Sequence, residues 1–236
     1  MRIVAQIGDR THQRDAVLAW EDRRARSVLN RMGLPVSPDR AGRRLALTEK
    51  KLDLGHDAIR AMLKRDLIWS ERIARIVCAM SGARRRFSVC ELSVSSGSAE
   101  KLVRWFEERS RLGDERPMID ACPDHYIIAL DKAGRQVVTE TTGGSPFASE
   151  FTVDYSDLSS LKSAPDADFP YQVAGVARLS DGLAIGGVRH QFRQDGEGFR
   201  ARLTVEFPAA MAGAMVAEHR WHLAAEFSNW IEAALA

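Results

Sequence analysis

Nine residues near the C-terminus, Phe199-Arg200-Ala201-Arg202-Leu203-Thr204-Val205-Glu206-Phe207, alternate apolar and polar side chains. A period of two puts one set on each side of a pleated strand, so this stretch reads as a strand with one buried face. Pro208 follows at once. It has no N–H to extend a ladder, and its fixed φ suits the first turn of a helix. From Met211 the apolar spacing becomes helical, and Val216, His219, Leu223, Phe227, Trp230 and Leu235 fall on one side. A half-buried strand that feeds a long amphipathic helix needs neighbouring strands to pair with. The helix needs an apolar surface to cover.

The neighbours are legible upstream. Phe87–Ser95 is a strand candidate, broken by Ser96-Gly97-Ser98. Ser98 can cap a helix whose apolar side is Leu102, Val103, Trp105 and Phe106, with Gly113 ending it. A short helix over Pro117–Ala121 follows. Six strand candidates come next: His125–Leu130, Arg135–Thr142, Glu150–Tyr155, Gln172–Leu179, Leu183–Arg193 and Gly198–Phe207. Turn residues punctuate them at Asp131-Lys132-Ala133-Gly134, Gly143-Gly144-Ser145-Pro146, Ser180-Asp181-Gly182 and Asp195-Gly196-Glu197-Gly198. Ser156–Pro170 is a longer polar loop, of the kind that forms a lid or rim. Closely spaced strands with tight turns predict an antiparallel sheet, and the fold class is α+β. Gly186-Gly187 inside a strand predicts a bulge or strong curvature.

This order of elements over residues 87–236 resembles the helix-grip fold of the START-like and polyketide-cyclase-like (SRPBCC) superfamily. The resemblance implies a curved sheet wrapped on the C-terminal helix, with a cavity between them. It also implies a carrier, or a cyclase- or dehydratase-like lyase that works without a cofactor. An NTF2-like cone is the rival fold, but it does not usually finish on so long a helix.

Residues 1–86 lie outside that pattern and read as a separate, basic, mainly helical region. They hold 20 Lys+Arg against 10 Asp+Glu, which leaves 14 against 22 for residues 87–236. Met1–Ile7 suggests a short strand. Gln13–Met32 suggests a helix ended by Gly33, and Arg40–Arg44 a basic loop. Asp57–Leu67 and a segment capped by Ser70 read as two helices joined near Asp66–Trp69, a helix-turn-helix in outline. That outline and the positive charge point to nucleic acid as a partner. A solvated basic face that neutralises the acidic half is the competing reading. Cys78, Cys90 and Cys122 are joined by no CxxC pair or Cys/His metal spacing, which fits a reducing cytoplasm. No apolar run reaches the roughly 18–20 residues of a membrane span. The N-terminus offers no secretory signal, and the expected location is cytoplasmic.

Candidate site residues follow from strand parity and helix spacing. Val188, His190 and Phe192 share the core face of their strand, and Leu203 and Val205 that of the next. His190 would be a general base or orient a carbonyl. Glu140, if inward, would pair with His190 as an acid/base couple, with His219 as a further catalytic group. In the helix, His219, His222 and Glu226 lie within one narrow sector. A hydrogen-bonded His222–Glu226 pair beside a cavity fits this spacing better than a zinc site, because HExxH is absent, and no metal is assigned. His125 is noted only as opening a strand.

The leading expectation is that Val188, Phe192, Leu203, Val205, Phe227 and Trp230 line a pocket for a small, largely apolar molecule. His190, Glu140, His219, His222 and Glu226 would supply its polar contacts. A ligand-responsive nucleic-acid-binding regulator is the second reading. An interaction protein with a filled core and no cavity is the third.

Overall fold

A computed structural model describes residues 1–143 and 145–236 of the chain. Nine strands form one sheet: β1 (Ile3–Ile7), β2 (Arg10–Gln13), β3 (Arg85–Val94), β4 (His125–Leu130), β5 (Gln136–Glu140), β6 (Ser149–Asp154), β7 (Tyr171–Arg178), β8 (Ala184–Asp195) and β9 (Gly198–Pro208). The order across the sheet is β2-β1-β3-β9-β8-β7-β6-β5-β4, and every pairing is antiparallel. The sheet is curved and open. Five helices accompany it: α1 (Arg14–Arg31), α2 (Arg40–Ser81), α3 (Ala99–Leu112), α4 (Glu115–Asp120) and α5 (Gly213–Leu235). The fold is therefore α+β, with a curved antiparallel sheet packed against a long C-terminal helix, as the terminal pattern of residues 199–235 dictates.

Local chemistry accounts for the boundaries. Ser98 accepts a hydrogen bond from the Lys101 amide at the start of α3, and Gly113 closes that helix in the left-handed conformation. The bulge expected at Gly186-Gly187 is present. Between β7 and β8 the register slips at Ala177/Arg178, so that Ala177 pairs with Gly186 and Arg178 with Ala184. A Cβ on Gly186 would stand 2.0 Å from the Glu206 carbonyl oxygen, so only glycine lets β9 approach there.

The first 86 residues differ from expectation in three ways. First, β1 pairs with β3, so the sheet runs straight across the boundary drawn near residue 86. Ile3, Ala5, Ile7, Val17 and Trp20 belong to the same apolar core as Leu92, Phe199, Leu203 and Phe227. Second, Arg40–Arg44 is not a loop but the first turns of α2, capped by Asp39, whose carboxylate accepts from the Gly42 amide at 2.6 Å. Third, α2 runs unbroken through Asp66–Trp69, and the helix-turn-helix outline is absent. Ser70 donates to the Leu67 carbonyl at 3.1 Å rather than capping a new helix. No glycine or proline interrupts residues 56–81, and the break in α2 falls at Gly55, with φ +70°. β2 is short, mostly exposed and polar, which is why no alternation announces it.

Arginines of the basic half turn inward to acids of the other half. Arg24 clamps Asp124 through two bonds of 2.8 and 2.7 Å, Arg44 reaches Asp120, Arg60 reaches Glu150 and Arg75 reaches Asp181. The charge asymmetry of the sequence is thus in part internal neutralisation. A second apolar cluster, with Leu29, Leu47, Ile59, Leu63, Tyr126 and Ile127, fixes α1 and α2 against β4. Among the described residues no helix is long and apolar enough to cross a membrane, and the three cysteines are free.

Candidate functional site

Between the sheet and α5 lies a cavity of about 190 Å³. Val188, Val205, Phe207, Phe227 and Trp230 form much of its wall, with Ile73 of α2 and the half-buried Met211 and Met215 at its rim. Among the polar side chains that line it, six gather near α5: His125, Glu140, His190, His219, His222 and Glu226. All six are buried.

Two pairing rules bring these groups together. In the β4–β5 ladder His125 stands directly opposite Glu140. On α5 His222 and Glu226 are four residues apart and share one face, with His219 one turn earlier. The sheet pair faces the helix pair. α5 comes this close because Gly143, at φ +52°, offers no side chain: a Cβ there would stand 2.8 Å from the His219 backbone nitrogen.

The resulting cluster is tight. His125 Nε2 lies 3.1 Å from His222 Nε2 and 3.1 Å from Glu226 Oε2. His222 Nε2 is 3.6 Å from Glu226 Oε2, and Glu140 Oε2 is 3.7 Å from both imidazoles. The outward atoms are held as well. His125 Nδ1 is 3.0 Å from the Met118 carbonyl, which can only accept, so Nδ1 carries a proton. Thr142 donates to Glu140 Oε1 at 3.1 Å. His222 Nδ1 is 3.9 Å from Cys122 Sγ, and the His219 ring stacks on His222 at 5.3 Å with its own Nδ1 3.2 Å from Ser88 Oγ.

Electrostatics divide the histidines. Burial pushes His190 down to about 4 and His219 down to about 3, the latter helped by the charge on His222. Both are neutral near pH 7. Burial also opposes a charge on His222, but the Cys122 sulfur and the Glu140 carboxylate outweigh it and hold its pKa above the ordinary range. Burial works against ionised Glu226 too. Hydrogen bonds from His125 and His222 overcome that and keep the carboxyl well below the usual carboxylate values. Burial pushes the Cys122 thiol up.

Of the residues expected at the site, His190, Glu140, His219, Val188, Val205, His222, Glu226, Phe227 and Trp230 line the cavity. Phe192 and Leu203 do not. Both are fully buried in the core, because the cavity occupies only the Ile185–His190 end of β8 and side chains pack solidly beyond it. Glu140 does point inward, yet its partners are His125 and His222 rather than His190. His190 instead rests on Phe227, with ring centroids 4.7 Å apart, and its Nδ1 has no partner among the described residues. The residues missed are His125 and Cys122. Their Cys-x-x-His spacing was a usable local signal, and it contradicts the expectation that no Cys/His spacing is present. Compared with known protein families and with curated proteins, the sequence finds no match.

Proposed function

We propose that this protein binds a small, largely apolar molecule between the sheet and α5, with its polar end against the histidine and glutamate cluster. One observation carries the reading: an apolar-walled cavity of about 190 Å³ ends on buried ionisable groups, and His190 Nδ1 there lacks a partner. A buried polar atom left without a hydrogen bond costs about 1–3 kcal/mol, and a ligand carbonyl or hydroxyl would relieve that cost. An apolar wall with few convergent polar groups is the usual form of a small-molecule site. The resemblance to the helix-grip superfamily supports the same reading. If the ligand is converted, cyclase- or dehydratase-like proton transfer fits the cluster. His190, held near 4, is too weak a base to drive it and would orient a carbonyl.

The test is a thermal-shift screen of the full-length chain against small apolar carbonyl and hydroxyl compounds. A ligand selective for the folded state stabilises it by about 2.7 kcal/mol at a hundredfold excess over its Kd. Hits that raise the midpoint in wild type but not in Val188→Trp, which fills the wall, establish the site. No hit from a broad library, or hits that Val188→Trp leaves unchanged, would remove it. The nucleic-acid reading keeps the surplus of Lys and Arg in residues 1–86 but not the helix-turn-helix outline.

A further inference from the structure

We infer that His125, His222, Glu226 and Glu140 form a binding site for a divalent transition-metal ion, zinc above all, at the polar end of the cavity. The inference rests on the geometry of the four groups and goes beyond the small-molecule reading.

Four candidate ligand atoms, two imidazole Nε2 and two carboxylate Oε2, lie close together. Five of the six edges between them measure 3.1, 3.1, 3.6, 3.7 and 3.7 Å. A tetrahedral ion with bonds of about 2.0–2.1 Å sets its ligand atoms about 3.3–3.4 Å apart. The observed edges bracket that value. Proton bookkeeping points the same way. The Met118 carbonyl engages His125 through Nδ1, so Nε2 is the ring atom left facing the other imidazole nitrogen and the two carboxylates. An ion that displaced the Nε2 protons would leave two carboxylates and two neutral imidazoles, which balance a 2+ charge in a buried site. Among the described residues no arginine or lysine pairs with Glu140 or Glu226.

The surroundings fit the outer layer of a metal centre. His125 Nδ1 donates to a backbone carbonyl, and Thr142 holds the outer oxygen of Glu140. Such partners orient ligands and fix the tautomer that offers a lone pair. Cys122, His125 and His222 can also be grouped within 4.8 Å. However, Cys122 approaches the Nδ1 edge of His222, away from the point where the two Nε2 atoms meet. The cysteine is therefore assigned as an outer partner of His222, not a ligand.

The experiment begins with metal analysis of the purified full-length chain. The protein is then stripped with a chelator and titrated with zinc chloride, following the thermal midpoint, and with cobalt(II) chloride, following the visible spectrum. We expect about one ion per chain and a midpoint that rises with zinc. The cobalt spectrum should show tetrahedral bands with no thiolate charge-transfer band. Glu226→Gln and His222→Gln, checked for folding by circular dichroism, should weaken zinc at least tenfold, while Cys122→Ser still binds one ion. A wild-type chain that purifies without metal and gains no stability from zinc, manganese(II) or iron(II) would overturn the proposal and leave the cluster as a proton-sharing network. A thiolate band, or loss of zinc from Cys122→Ser alone, would overturn this ligand set. Apolar ligands that bind the stripped protein would keep the cavity reading while the metal site falls, so the two are separable.

Discussion

Lys51 of α2 is buried with its amine 2.8 Å from the Pro123 carbonyl and 5.4 Å from the centre of the Tyr126 ring. Burial brings its pKa down from 10.5 to about 8, against the pull of Cys122, Asp124 and Asp120. As pH rises the folded chain therefore releases this proton before the unfolded chain does. Above about pH 8 the unfolded state holds more protons, so the Lys51 contribution to stability grows with pH until the unfolded amine titrates as well. Below that range the charged amine weakens the fold. Wild-type stability measured against Lys51→Met should rise by up to about 2 kcal/mol between about pH 7 and about pH 9.5. Urea unfolding of both proteins at the two pH values checks this, and a constant difference would show that the amine titrates normally. Single residues also mark the reach of sequence reasoning. His190 was placed by strand parity alone. His125 was not, because its partner His222 lies 97 residues away and no local period records that meeting.

At the scale of elements, strands and helices from Phe87 onward were legible to within a few residues, because alternation, caps and glycine turns are local signals. Two elements were not. β2 lacks an apolar alternation, since its side chains face solvent. α2 was divided wrongly because its mid-length carries polar residues at Asp66 and Ser70 that resemble a start signal, whereas continuity there comes from packing on β4 and α1. The approach of α5 to the turn after β5 is a further element-scale feature, and it hangs on Gly143. Gly143→Ala would place a methyl 2.7 Å from His219 Cβ at a left-handed φ. It should cost about 2–4 kcal/mol, from strain and overpacking together. Denaturant unfolding would read that loss, and a value below about 1 kcal/mol would show that α5 gives way without cost.

The whole molecule does not divide where the charge does. β1 covers one side of β3, and α1 adds Val17 and Trp20 to the central core, so residues 87–236 alone would bare a strand edge and an apolar face. A chain beginning at Phe87 should lack fixed near-UV circular dichroism and should aggregate on size-exclusion chromatography. A monomeric, cooperatively folding product would show that the first 86 residues are dispensable. The same interlocking sets two indole rings around the buried cluster. Trp20, from the first helix, meets the edge of His222 at 6.2 Å between centroids, and Trp230 lies against His125 at 5.9 Å. Imidazolium quenches indole fluorescence, whereas neutral or metal-bound imidazole does so differently. A change of charge in the cluster should therefore register in the emission of Trp20 and Trp230, so the intact protein carries an optical reporter beside its buried histidines.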